Sequence, residues 1–327
     1  MAILLHRTND ALNINPPSGN EALSVNGSDW LWAVTAIYIV SFIAFFATSF
    51  VARSGEKIFH YLFTIALLVG SISYYAIAAD LAYVVIPVIN SKPVESWDRQ
   101  IFWAEYVNWV VSYPVIAIAL GLLSGVSWAT ITYNVALSWT WVISYLVAAF
   151  TTSNYKWGFY AFGTTAWALL AFSTLAGGST AAKRVGVARD HTILSGWVNL
   201  LWLLYPIAWG LSDGGNKIGV TPAYIFFGIL DVLLVPFLSF TFLFLARNWD
   251  YGKLNLAFTR YGRVHQGGEF PEKTATAPTQ PVVGLPQVAG SFRILALLLP
   301  TSFPVNHGRL GLSLFYDVMT TNSSRKL

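Results

Sequence analysis

Apolar residues in this chain come in long unbroken runs, neither alternating with polar ones nor confined to one helical stripe. Seven runs approach or exceed the roughly 20 residues that a helix needs to cross a bilayer. They cover 30–52, 59–85, 101–123, 127–151, 157–175, 192–211 and 222–246. Polar or glycine-bearing links separate them at 53–57, 90–100, 124–126, 152–156, 177–190 and 212–221. Short links make consecutive helices antiparallel neighbours. The pattern therefore predicts an all-α fold, a seven-transmembrane-helix bundle. An outer-membrane barrel would instead show spans of about ten residues with alternating polarity, a pattern this sequence lacks.

The flanks differ from the bundle. Residues 1–28 are polar and carry Asn, Pro and Gly. They lack the basic segment followed by an apolar one that marks a signal peptide, and are expected to form a flexible extramembrane arm. Asn26-Gly27-Ser28 is a glycosylation sequon. It lies so close to the first run that it is expected to go unused. The seven-helix domain is placed at 29–250 and a tail at 251–327. Residues 267–286 are rich in Pro, Thr and Gly, a composition that favours disorder. The apolar patch at 294–299 is too short to span; it would lie on a membrane or bind a partner.

Basic residues near the run ends set orientation. Arg53, Lys57, Lys183, Arg184, Arg189, Arg247, Lys253, Arg260 and Arg263 fall on one side. Only Arg7, Lys92, Arg99, Lys156 and Lys217 fall on the other. The N-terminus is therefore expected outside and the C-terminus in the cytoplasm.

Composition agrees. The 327 residues are 55% hydrophobic and 10% charged, against about 25% charged in soluble domains. There is no cysteine, which excludes disulfides and thiolate chemistry. His6, His60, His191, His265 and His307 are scattered. No metal-ligand set and no nucleophile–base spacing emerges, so an enzyme is not expected. No basic run or RNA-binding motif points to nucleic acid.

The chemistry lies in the polar residues inside the runs. Asp80, Glu105 and Asp231 are the carboxylates there. An ionisable group at membrane depth is costly and marks a functional position. Asp231 is the deepest, in the apolar stretch 226–240. Lysines and arginines are confined to run ends, links and tails, so Asp231 is expected to be protonated at neutral pH or hydrogen-bonded to water and tyrosines. Asp80 and Glu105, nearer the outer side, are polar-pathway candidates. In the third run Glu105, Asn108, Trp109 and Ser112 recur at intervals of three or four and share a helical face. In the sixth, Trp202, Tyr205, Pro206 and Trp209 share another, with a kink predicted at Pro206. The two faces and Asp231 predict one pocket.

Three motifs carry a resemblance to the microbial rhodopsins, the seven-helix family of bacteriorhodopsin. The third run, WAEYVNWVVSYP, resembles W-A-R-Y-x-D-W-x-x-T-x-P; the sixth, WLLYPIAW, resembles W-x-x-Y-P-x-x-W; the seventh, LDVLLVP, resembles L-D-V-x-x-K. The likeness spans about 30–247. It implies a bacteriorhodopsin-like bundle and a retinal-type pocket formed by Tyr74, Asn108, Trp109, Ser112, Trp202, Tyr205, Trp209 and Asp231. In that family a lysine four residues after the aspartate links retinal covalently; the residue here is Val235. The primary proton acceptor corresponds to Asn108, the arginine of the outer half to Glu105, the proton donor to Ala119 and the nearby threonine to Ser112.

These departures make the chain similar to the fungal opsin-related proteins without the retinal lysine, a group that includes a small plasma-membrane heat-shock protein of yeast. The resemblance implies a non-photoactive protein of the plasma membrane with no cofactor, no covalent retinal and no light-driven proton pumping. Such a protein would act in membrane or stress-linked regulation through lipid or protein partners. The tail and the basic link at 183–189 are the expected contact surfaces. Two alternatives stand beside this. One is a receptor for a small apolar ligand held noncovalently in the aromatic pocket. The other is a passive ion or proton pathway through Asp80, Glu105 and Asp231, which Ala119 disfavours because it supplies no titratable group in the inner half.

Overall fold

The computed structural model describes residues 9–53, 55–88, 97–254 and 256. Among them, seven helical stretches are long and apolar enough to cross a membrane: Val25–Ser49, Lys57–Ala78, Trp103–Ser124, Trp128–Phe150, Lys156–Val185, Ala188–Gly214 and Val220–Ala246. The tail beyond residue 256 lies outside the described residues. So does its apolar patch at 294–299.

A short helix, α1 (Ala11–Ile14), precedes α2 (Val25–Ser49) and α3 (Lys57–Ala78). A hairpin follows, β1 (Tyr83–Pro87) with β2 (Asp98–Phe102), paired antiparallel with Tyr83 opposite Phe102. Then come α4 (Trp103–Ser124), α5 (Trp128–Phe150) and α6 (Lys156–Phe172). The last runs through a π turn, Ser173–Gly177, into α7 (Gly178–Val185). Helix α8 (Ala188–Trp209) ends in a second π turn, Gly210–Gly214, and α9 (Val220–Val232) joins α10 (Leu238–Ala246) through a third, Leu233–Phe237.

Local chemistry explains the boundaries. Ser24 caps α2 by accepting from the Gly27 N–H at 3.3 Å, and Ser127 caps α5 through the Thr130 N–H at 3.2 Å. A serine before the first turn satisfies a donor that the helix leaves free. Helices α4 and α7 stop at Gly125 (φ 71°) and Gly186 (φ 86°), left-handed positions that glycine adopts without strain. The outward faces stay apolar, with Phe162, Phe172 and Phe244 exposed. Such side chains suit acyl chains, and the buried cluster runs between the helices.

Several boundaries differ from the sequence reading. The second helix ends at Ala78, and 83–87 is a strand. Asp80 and Ala82 adopt positive φ, 55° and 60°, and turn the chain before the apolar residues that follow. The link predicted at 177–190 contracts to Gly186 and Val187, because α7 carries Lys183 and Arg184 on its last turn. The first long helix begins at Val25, inside the segment assigned to the arm.

The arm itself is tied down from residue 9 onward. Glu21 donates its N–H to Asp98 O at 2.9 Å and accepts from the Gln100 N–H at 2.9 Å. The Leu23 N–H reaches Gln100 Oε1 at 2.9 Å, and Asn15 Nδ2 reaches Ala79 O at 2.8 Å. These bonds replace the flexibility expected of 9–24 with an extra edge on the hairpin.

Candidate functional site

Asp231 lies in the last full turn of α9 and is buried. Four side chains from three other helices donate to its carboxylate. Tyr74 OH (α3) and Asn108 Nδ2 (α4) reach Oδ2 at 2.6 and 2.9 Å. Trp109 Nε1 (α4) reaches Oδ1 at 3.1 Å, and Tyr205 OH (α8) closes on the same oxygen. All four donors are uncharged, and no ion pair to Asp231 exists among the described residues. Hydrogen bonds to a carboxylate are stronger than neutral ones, so one side chain ties four helices together.

The backbone beneath it is irregular for a reason. Pro236 has no N–H to donate to the helical ladder, and the π turn Leu233–Phe237 forms around it. Tyr38 OH donates to Asp231 O at 3.0 Å, and Trp197 Nε1 to Leu233 O at 3.2 Å. Side chains from α2 and α8 thus reach one carbonyl in the last turn of α9 and one in the π turn that follows. Gly70 makes the first contact possible: a Cβ there would stand 2.2 Å from the Tyr38 ring. Val235 sits in the same π turn, fully buried. It brings no amine to a position one turn beyond Asp231.

Beside this carboxylate the rings are packed face to edge. Trp109 and Tyr205 are 5.4 Å apart between centroids, and Trp109 and Phe227 are 5.2 Å apart. Tyr113 is the hub. Its ring meets Trp141 at 4.8 Å, Tyr205 at 5.4 Å, Trp202 at 5.8 Å and Trp109 at 6.1 Å. Tyr113 OH, Trp202 Nε1 and Ser112 Oγ are buried without a hydrogen-bond partner. Sequence reasoning passed over Tyr113 because it occupies a variable position of the third-helix motif. The available signal was a large aromatic four residues after Trp109 on the pocket helix.

The predicted site residues therefore divide. Tyr74, Asn108, Trp109 and Tyr205 converge on Asp231. Trp202 faces Tyr113 and Trp141 instead. Trp209 joins another cluster: its Nε1 donates to Tyr106 OH at 2.8 Å, and that hydroxyl donates to Asp213 Oδ2 at 2.8 Å. Arg99, brought in by β2, completes this cluster with Nε 3.4 Å from Asp213 Oδ1 and Nη1 2.8 Å from Asn216 Oδ1. Both charged side chains are buried. The pair was invisible in the sequence, where its members fall in links 114 residues apart. Ser112 Oγ is buried without a hydrogen-bond partner, and Glu105 is buried beside the Tyr224 hydroxyl.

Asp80 stands apart from all of these, past the end of α3, where it accepts from Gln100 Nε2 at 2.7 Å. Burial raises its carboxyl from 3.8 to about 6, opposed by the Gln100 bond. A carboxyl raised on folding keeps its full contribution below its unfolded value and loses it as pH rises through the folded one. Wild-type melting temperature is thus expected to fall between pH 3.8 and about 6 through this group. Asp80→Asn keeps an acceptor for Gln100 and removes the charge. It should flatten that slope and melt higher than wild type at neutral pH in a detergent thermal-shift series.

The geometry has counterparts among known proteins. The family described as bacteriorhodopsin-like protein matches residues 27–247. Protein FDD123 of Trametes versicolor is 35% identical over 272 residues, 83% of this chain and 92% of that protein. The opsin-like protein carO of Fusarium fujikuroi is 35% identical over 263 residues, 77% of this chain and 86% of that protein. The crystal structure of the light-driven proton pump LR (Mac) from Leptosphaeria maculans superposes with a TM-score of 0.67 at 27% identity. It covers 72% of this chain and 99% of that one.

This corrects one expectation. The chain was expected to have no cofactor, but its relatives include light-driven pumps, and microbial rhodopsins of this kind carry retinal as a rule. The residues present fit such a group as a wall and not as an anchor. Trp109, Trp202 and Tyr205 are retained around an apolar interior, while position 235 offers no amine. Valine at position 235 carries no amine. With seven apolar spans and an aspartate-centred aromatic interior, the chain belongs to the bacteriorhodopsin-like family of membrane proteins, related to opsins and light-driven proton pumps.

Proposed function

We propose that this chain is an opsin-related membrane protein that does not run a light-driven pumping cycle and acts through lipid or protein partners. The observation that carries the reading is the state of Asp231. In a pumping relative this aspartate balances a cation on the lysine one turn later. Here that residue is Val235, and the carboxylate is saturated by Tyr74, Asn108, Trp109 and Tyr205. Asn108 and Ala119 replace the titratable groups that would accept and donate protons along such a cycle.

The proposed location is the plasma membrane; the proposed orientation, with the hairpin end outside, is supported by the basic residues Arg53, Lys57, Lys183, Arg184, Arg189 and Arg247 at the opposite end. The likeness to fungal opsin-related proteins is the support for a role in membrane or stress-linked regulation. The test is to reconstitute the protein in liposomes, add all-trans-retinal and record external pH under illumination. No light-dependent change above empty vesicles is expected; a change abolished by a protonophore contradicts the proposal.

A second reading draws on the unpartnered donors. Tyr113 OH and Trp202 Nε1 both lack an acceptor in the ring cluster. A buried donor without a partner costs about 1–3 kcal/mol. A small apolar ligand bearing one acceptor oxygen would satisfy them once the Tyr113 ring moves aside. Retinoids and sterols have that chemistry, and native mass spectrometry of the purified protein would reveal such a molecule.

A further inference from the structure

A second buried polar cluster lies far from Asp231, at the end of the bundle away from the hairpin. His191, in the first turn of α8, is 1% exposed. Its Nδ1 has no hydrogen-bond partner, and neither does Asn134 Oδ1 on α5. Both side chains line a cavity walled by Ser124 of α4, Thr174 of the first π turn and Gly178 of α7. The volume open to a water centre is about 10 Å³, at the lower limit for holding one water molecule. One water can donate to Asn134 Oδ1 while exchanging a hydrogen bond with His191 Nδ1.

The cavity borders an irregular and closely fitted segment. The run Ser173–Gly178 is built of small residues apart from Leu175 and adopts a π turn, a feature frequent at functional positions. Gly178 presses directly on the imidazole: a Cβ there would lie 2.8 Å from His191 Cε1 and Nε2. Thr174 is tied back to α8 by Asn199 Nδ2 at 3.1 Å.

Among the described residues that line the cavity, none besides His191 is titratable. Helix α4 presents Leu120, Gly121 and Ser124; α5 presents Asn134; the π turn and α7 present Ser173, Thr174 and Gly178. On α8 itself Ser195 and Asn199 are neutral, and Asp190 is engaged by Trp249 Nε1 at 2.7 Å. Lys183 and Arg184 on α7 are exposed. This half of the bundle, where Ala119 provides nothing titratable, thus contains an imidazole that lines the same cavity as Leu120.

We propose that His191 and one water form a buried proton-binding site at this end of the bundle, and that proton uptake releases the Ser173–Val185 segment from α4 and α8. The proton arrives from bulk water through the cavity water, and the only bond formed is N–H. An imidazolium has two donors and no acceptor. It gains a net charge that no carboxylate opposes, and a charge buried without a partner is costly. The structure relieves that cost by admitting water, and the segment most able to yield is the π turn against which the ring packs.

The test uses full-length protein in nanodiscs with ¹⁵N-labelled histidine, taken from about pH 8 to about pH 4.5 across the imidazole range. The resonances that disappear in His191→Gln belong to His191. In wild type they should move to the imidazolium position, and hydrogen exchange in 173–185, corrected for its intrinsic pH dependence, should rise with the same midpoint. His191→Gln should abolish the rise. Resonances that remain neutral throughout, or an exchange rise that persists in His191→Gln, overturn the proposal. Should that variant fail to fold, Asn134→Leu removes the acceptor for the water. It should shift the His191 midpoint, and an unchanged midpoint overturns the proposal equally.

Discussion

Val235→Lys alone gives little or no visible pigment with added all-trans-retinal, whereas Val235→Lys combined with Tyr113→Thr gives a strong absorbance band. The lysine restores an amine one helical turn from Asp231, on the same face, where the carboxylate can balance a positive charge. An amine is not sufficient, because Tyr113 occupies the interior. Its ring touches Trp141, Tyr205, Trp202 and Trp109 at centroid distances of 4.8–6.1 Å. The motif resemblance assigns Trp109, Trp202 and Tyr205 to a retinal-type pocket, and Tyr113 packs against all three. Threonine keeps the hydroxyl and removes the ring. Emptying a buried aromatic position costs about 3–5 kcal/mol when the space stays vacant, a cost that a bound polyene offsets. The double variant should therefore also melt higher with retinal than without it. Equal bands from the single and double variants would show that Tyr113 does not occupy the slot.

Asp231→Ala is expected to be the most destabilising single substitution at the site. It strips the acceptor from Tyr74, Asn108, Trp109 and Tyr205 at once. Each buried donor left without a partner costs about 1–3 kcal/mol. Even with partial repair by water, the loss should exceed about 4 kcal/mol. For a chain of this size that lowers the melting temperature by roughly 6 °C or more. Asp231→Asn retains Oδ1 for Trp109 and Tyr205 and turns Oδ2 into an amide donor. The Tyr74 hydroxyl can rotate, and the Asn108 amide can flip its unpartnered Oδ1 inward, to accept from it, so this variant should lose much less. The comparison is made by thermal unfolding in one detergent. Alanine and asparagine variants that melt together would mean that the four bonds do not hold the helices.

Much of this architecture was legible because the bilayer dictates it. Seven apolar runs of membrane-crossing length appear directly in the sequence, and each became a helix. The hairpin did not, because Val84, Val85 and Ile86 read as a continuation of the second run and Ile101 and Phe102 as the start of the third. The break between them rests on Asp80 and Ala82 at positive φ, and neither residue type announces a left-handed turn as glycine would. The predicted link at 177–190 looked like a loop for its glycines and charges. Yet Ala181, Ala182, Lys183 and Arg184 favour helix, and α7 forms there.

The site was readable where polarity contrasted with its surroundings. Asp231 in an apolar run called for donors, and Tyr74, Asn108, Trp109 and Tyr205 supplied them. Long-range pairing was not readable. Nothing in the spacing joined Arg99 to Asp213, or His191 to Asn134. Tyr113 looked like one more aromatic among many until its four ring neighbours were seen together. The arm followed the same logic, since its order depends on bonds from Asn15, Glu21 and Leu23 to a hairpin that was itself unforeseen.

The central claim is that this bundle has no residue at position 235 through which a light-driven cycle can operate. It is tested most directly by incubating wild-type protein with all-trans-retinal, reducing with borohydride and mapping peptides by mass spectrometry alongside the visible spectrum. No retinyl adduct on any residue within the bundle, and no band that hydroxylamine bleaches, is the predicted result. A bleachable band accompanied by a retinyl adduct on a residue within the bundle would contradict it.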